Sequence, residues 1–572
     1  MTKLMRIYLY ISSLIFLLVQ SGLSETIYVD NTLTQNCTSG NYSISNRNGN
    51  GSDGNAYKTI KEAIQVMKAG DVVLIRGGVY NEIQIDIGGK TNGSESNKYT
   101  IKSFPDEWAV VDGKHGGSGS QRSVFYGTGS PMQYWVFENM EITGGGQINN
   151  PPDAGSGIFL FNAKNCEFRN LYIHDNYSST VNVGAAGGIL LGDDVSAPSN
   201  NLIEFCYFKC NGGVNTNHNS ANAHIAIFSD YKYDNTVDPA KSQHNNIVRY
   251  NLFDGSCSSG YTDVGVMQKG FQRLTGYTQG ETGSSSDNSP NGSSYRSYGD
   301  EYHHNIFRNL RMGVRLDQDY IQFHHNIIFL DGGSWSAEET AAIESRDSYT
   351  SRRGPYYACI YNNTVYADDK RAIDLHMIWD DWSCNQDGIN SNISKAYVVN
   401  NIIDTGNSGY DWRALSFDSN GQSGCSAPQP TNPADVISSR NYFYRCSGTS
   451  FVYIENRAYS KSEIEATASA DRIYLGAFNQ SNLLYKGSSG ADQYKVFGTH
   501  SVGDGFTISN AGINESHPYL TGVQIPGYIG ATDPNNDQWV DMVINLENLS
   551  DNNGGEVDTD PPAKPFNIKI TK

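Results

Sequence analysis

GVRLDQDYIQFHHNIIF, residues 313–329, joins two patterns whose recurrence decides the fold. Its opening, GVRLDQD, sets a small residue before an apolar one and then alternates. Its close, FHHNIIF, sets Asn326 before an apolar run. The opening recurs as GGILLGDD from Gly187, AIFSD from Ala226, GVMQKG from Gly265, AIESRD from Ala342, AIDLHM from Ala372 and ALSFDS from Ala414. The close recurs around Asn139, Asn170, Asn251, Asn305, Asn363 and Asn401. Asn305 and Asn326 lie one short coil apart, and wider gaps elsewhere hold insertions. Self-similarity at irregular spacing, with no sustained helical period, is the mark of a β-solenoid. Asn suits its bends, because the side chain bonds nearby backbone and tolerates left-handed geometry. A propeller or sandwich of antiparallel hairpins fits less well, since paired Asn-Gly turns at short regular spacing do not separate the strands.

Side chains alternate between the faces of a strand, so an inward first apolar residue puts the next one outside. Two outward columns are expected. The nearer holds Leu190, Phe228, Met267, Arg315, Glu344, Asp374 and Ser416; the farther holds Gly192, Asp230, Lys269, Asp317, Arg346, His376 and Asp418. Column neighbours in stacked coils stand roughly 4.8 Å apart. Charge therefore concentrates on one sheet, which is more than a solvated face requires. Between Lys269 and Asn305 a long Gly/Ser-rich insertion carries Tyr277, Tyr295, Arg296 and Tyr298 and is expected to wall a cleft over this strip.

The ends agree with that organisation. Residues 1–24 pair Lys3 and Arg6 with an apolar run from Ile7 to Val19, which reads as a secretory signal; the protein is expected to be secreted or periplasmic. No later stretch is apolar and long enough to span a bilayer. From Thr59, TIKEAIQVM has apolar residues at helical spacing, as a short N-terminal capping helix would. AGDVVLIRGGVYNE, from Ala69, then reads as the first full coil. The solenoid domain is expected over 25–550 and a polar, Pro-rich, flexible tail over 551–572.

The chain has 572 residues, 59 Gly, 37 Tyr and a formal net charge of −19. The acidity argues against nucleic acid, which needs basic stripes. It also means that a polyanionic substrate must meet a local Lys/Arg cluster or a bound cation. Nine cysteines leave at least one thiol unpaired. Cys166 and Cys206 read as stacked buried thiols, and the Cys206/Cys210 spacing lacks the second ligand pair of a metal site.

The export segment, the capping helix, AGDVVLIRGGVYNE and the Asn-laddered coils resemble the secreted right-handed parallel β-helix polysaccharide lyases, both the alginate lyase and chondroitinase B group and the pectate lyases. That resemblance implies an all-β, right-handed parallel β-helix. It implies a monomeric enzyme cleaving an acidic, uronate-containing polysaccharide by β-elimination. In the first group a Lys and an Arg on neighbouring coils carry the elimination, and Lys269 with Arg315 match that pairing; the Lys-Ser and Arg-His-Gly phrases typical of the group are absent. Removing the proton α to a uronate carboxylate creates negative charge, so a base and a cation are both needed. Lys269 serves as base if Arg315 and Arg346 disfavour its protonated form. Arg315 then grips the carboxylate through its fork. Tyr277, Tyr295, Tyr298 or His376 is left to protonate the leaving oxygen, with Arg346, Glu344, Asp374 and Asp317 also lining the substrate strip. The resemblance further implies calcium, with Asp193, Asp194 and Asp230 as the carboxylate candidates and Asp263 nearby.

Two rival readings share the scaffold. A glycoside hydrolase needs two carboxyl groups, which Glu344 with Asp374 or Asp317 with Asp374 would supply; the polygalacturonase phrases Asn-Thr-Asp, Asp-Asp and Gly-His-Gly are missing. A noncatalytic solenoid would use the strip only to hold glycans.

Overall fold

In the computed structural model the repeats wind into a parallel β-helix. The structure describes residues 24–116 and, from 122 to 550, mainly the strands and short turns of the coils. Residues 1–23 and 551–572 lie outside the described residues, and with them the expected export segment and the expected tail. So do 193–197, 230–244, 271–298, 317–320, 331–340, 346–355 and 377–394, among others.

Each full coil carries three strands. Glu301–His303, Ile306–Arg308 and Met312–Arg315 form one coil, and Gln322–His324, Ile327–Leu330 and Ala341–Ser345 form the next. Every strand pairs in parallel with its counterpart one coil on. The first two strand rows join through the long strands Trp135–Thr143 and Glu167–His174 into a 22-stranded sheet, whereas the third row makes a 12-stranded sheet from Ile85–Asp86 to Arg457–Tyr459.

The interior explains the small-then-apolar motif. Phe208, Phe253 and Phe307 stack along the axis with centroids 5.0 and 4.6 Å apart. A Cβ at Gly265 would come within 2.6 Å of Phe307, and one at Gly188 within 2.9 Å of Phe208. The small residue therefore points inward beneath this stack, as does the apolar residue after it: Ile189, Val266, Val314, Ile343 and Ile373 are all core. Alternation resumes only beyond that pair.

The Asn repeat resolves into two columns rather than one. Asn139 and Asn170 sit at the corner itself, with φ of 55° and 49°, where later coils place Tyr250, His304 and His325. The asparagines from Asn251 onward stand one residue later, inside. There they form a ladder through Asn305, Asn326, Asn363, Asn401 and Asn441, each accepting from the backbone N–H and the side-chain amide of the one before. Asn can do either job, so one letter marked two positions.

At the N-terminal end, Ile60–Val66 is a helix as expected. Thr59 caps it, accepting from Glu62 N–H at 3.2 Å while its hydroxyl donates to the Glu62 carboxylate at 2.7 Å. Ile60, Ala63 and Ile64 are buried in the core. Near the other end, a helix at Gln538–Ile544 and a 3₁₀ turn at Asn545–Ser550 lie along the outside of the second strand row. Gly530 donates to the Asn400 carbonyl, Ala531 to the Thr364 hydroxyl, and Arg308 pairs with Glu547. No helix among the described residues is long and apolar enough to cross a membrane.

Cys210 and Cys257 are disulfide-bonded across adjacent coils. Cys166 and Cys206 are buried thiols as expected, burial pushing Cys166 up to about 12 and Cys206 upward too. They are not stacked. Cys166 falls in the column of Asn201 and Cys206 in that of Asn251.

Candidate functional site

The outer face of the 12-stranded sheet carries the predicted strip, with its register corrected. Leu190 pairs with Ala226, Ala226 with Met267, Met267 with Arg315, Arg315 with Glu344, Glu344 with Asp374 and Asp374 with Ser416. Ala226, not Phe228, fills the near column. Phe228 lies directly opposite Lys269. The motif AIFSD opens two positions out of step with its neighbours: Ala226 is an outward residue, because the inward small position of that coil is occupied by His224.

Extended backwards, the near column runs through Phe159, Tyr126 and Asp86. Its middle is apolar, with Leu190, Ala226 and Met267 packed together with the neighbouring Val264 and Met312. Its C-terminal half is charged yet enclosed: Arg315 is 3% exposed, Glu344 and Asp374 2% each. Enclosed charges need partners. Asp374 has Arg371, whose Nη1 lies 2.5 Å from its Oδ2. Arg371 was missed in the sequence. Its signal is the RAID spacing, which puts positions three apart on one face because the two between them both point inward.

Lys269 lies in strand Val264–Gly270, whose first part, Val264–Met267, pairs with Met312–Arg315. The two residues stand on consecutive coils, Lys269 two positions beyond the partner of Arg315. Strand spacing and rise put their Cα atoms roughly 8 Å apart. His376 occupies the strand position opposite Asp418, two beyond Asp374. Asp317, Arg346, Tyr277, Tyr295, Tyr298, Asp193, Asp194, Asp230 and Asp263 lie outside the described residues. Among the described residues no group of three or more His, Cys, Asp or Glu side chains has the geometry to hold a metal ion.

Behind the strip, His224 is an inward residue with no counterpart in the sequence reading. It lies beside the stacked Phe208 and Phe253, its Nδ1 3.1 Å from the Asn211 amide, and burial pushes its pKa down to about 3. It is a neutral core histidine.

Residues 42–223 match a family model described as the Pel9A-like, right handed beta helix region. Over that region the coils match a right-handed β-helix. Among solved structures the chain is similar to pectate lyase Pel9A, at 14% identity over 89% of this chain and 96% of that one, with a TM-score of 0.37. It is also similar to PfbA, a surface adhesin of Streptococcus pneumoniae, at 14% identity over 74% of this chain and 89% of that one, with a TM-score of 0.44. A GH136 lacto-N-biosidase from Eubacterium ramulus follows at 12% identity over 75% and 67%, with a TM-score of 0.37. None of the curated proteins matches. Likeness at this level carries no activity across.

Proposed function

We propose that the protein is an exported polysaccharide lyase that cleaves a uronate-containing acidic polysaccharide by β-elimination. The observation that supports this most is the direct pairing of the Lys269 strand with the Arg315 strand in the 12-stranded sheet. Lys269 removes the proton α to the uronate carboxylate, the electron pair forms the ring double bond, and the bond to the leaving oxygen breaks. Tyr277, Tyr295, Tyr298 or His376 supplies the proton to that oxygen. Arg315 offsets the negative charge that develops, and an enclosed guanidinium acts on such charge more strongly than a solvated one. Calcium dependence through Asp193, Asp194 and Asp230 and a monomeric state belong to the same proposal.

The test is incubation with polygalacturonate, alginate and chondroitin while recording the ultraviolet absorbance of an unsaturated product. Wild type is expected to generate it on at least one polymer. Lys269→Ala should lower kcat on the order of 10²-fold or more, the usual contribution of a positioned base. Arg315→Ala should lose a similar amount, and EDTA should abolish turnover until Ca²⁺ is restored. Full activity in Lys269→Ala would sink the assignment.

Glu344 directly opposite Asp374 keeps a hydrolase in view, since carboxyl groups on adjacent coils approach the separation of about 5 Å that retention requires. Reducing ends without ultraviolet absorbance would establish that reading. Binding with neither signal would establish a glycan-holding solenoid.

A further inference from the structure

His303, His304, His324 and His325 take no part in the charged row. They come from the HHN words of two consecutive coils and form a two-by-two array at the corner between the first and second strand rows. His303 stacks on His324 with centroids 5.1 Å apart, and His304 on His325 at 5.0 Å, each pair within 3° of parallel. Within each coil the Nδ1 atoms meet, at 2.7 Å for His303 with His304 and 2.8 Å for His324 with His325. Such a contact needs one nitrogen bearing a proton and one bare, so it survives between neutral rings and fails between two imidazolium rings.

Glu301 lies 3.0 Å from His324 Nε2 and 3.8 Å from His303 Nε2. Arg249, from the preceding coil, opposes charge on His303 and His304. Tyr250 tilts against His304, and Tyr361 stacks on His324. From the C-terminal helix, Trp539 sets its ring edge-on to His304 at 5.1 Å and 84°. The acids of that segment are engaged elsewhere, Asp537 and Asp541 with Lys495 and Glu547 with Arg308. Burial pushes His303 and His324 down to about 3 and His304 and His325 well below their ordinary value.

We propose that this array is an acid-sensitive latch: proton uptake by the His304–His325 stack releases the 538–550 segment from the outer face of the second strand row. The sign follows from linkage. A ring whose pKa is depressed while strapped contributes fully above the free value of about 6.5, and its contribution is lost as pH falls below that. Each such ring weakens the strapped state about tenfold per pH unit, so the pair weakens it ten- to a hundredfold.

Hydrogen exchange of the full chain between pH 8 and pH 5, corrected for intrinsic rates, tests this. Protection of 538–550 is expected to fall at least tenfold per unit below about pH 6.5, while that of the core strand Glu167–His174 holds. His304→Phe/His325→Phe should keep 538–550 protected across the range, and Trp539→Ala should lose that protection at every pH. If the double variant loses protection at Glu167–His174 as well, His325→Gln alone replaces it and should make the fall shallower. A wild-type profile that stays flat, or a fall that persists unchanged in the variant carrying an intact core, overturns the latch.

Discussion

Asn305 donates its side-chain amide to the carbonyls of Val248 and His303 and to Asn326, and its oxygen accepts from the N–H groups of Asn251. Removing that amide strands several buried groups together, at an expected cost of about 2–4 kcal/mol. Asn139 carries the same letter but a left-handed backbone, φ 55°, and no place in that ladder. Glycine adopts the geometry freely. Asn139→Gly is therefore expected to stay within about 0.5 kcal/mol of wild type, whereas Asn305→Gly loses at least about 2 kcal/mol. Urea unfolding midpoints at constant slope separate the two, and equal losses would show that the columns do not differ in this way. At Asp30, burial alone would raise the carboxyl, but Arg47, Thr32 and Tyr42 bond to it and hold it at about 2. Its folded pKa is depressed, so its contribution is present above about pH 4 and is lost as pH falls toward 2. Asp30→Asn should flatten the decline of melting temperature between pH 4 and pH 2.5; an unchanged decline would assign the acid lability elsewhere.

At the scale of the element, the third-row strand is decided by what lies beneath it. Gly313 faces Ile328, and a Cβ there would also stand 2.6 Å from the Ala342 carbonyl. Gly313→Val overfills this level and is expected to cost about 1–3 kcal/mol or more, because packed interiors do not absorb a side chain of that size. Ala342→Gly in the next coil, which removes a methyl group from the core without crowding it, should cost about 1 kcal/mol. If the valine variant melts like wild type, the inward placement of the small residue is wrong. The same two-in pattern explains the register slip in the sequence reading. AIFSD looks like AIESRD, yet its alanine is outward, since His224 two residues earlier fills the inward small position. Only the hydrogen-bonded partner of each residue reveals such a shift.

For the whole molecule, the coils repeat along one axis and the few links that depart from it have the largest leverage. Cys210–Cys257 closes a loop of sequence separation 47, worth about 4 kcal/mol in the chain-entropy account. Reduction, or Cys257→Ser, is expected to lower the melting temperature by several degrees. An unaltered Tm under reducing conditions would mean that the bond constrains nothing the coils do not already hold. The parallel β-helix, the N-terminal helix and the neighbouring coils of Lys269 and Arg315 were legible in the chain, because each rests on a short-range pattern: alternation, small residues at fixed spacing, a helical apolar stripe with Thr59 before it. Which Asn turns the corner and which bonds the ladder, the pairing of Phe228 rather than Asp230 with Lys269, and the return of the 538–550 segment onto distant coils came from the tertiary structure alone. These are fixed by register and by packing between residues far apart in sequence, and a one- or two-residue shift in a strand leaves its letters unchanged while moving every neighbour it meets.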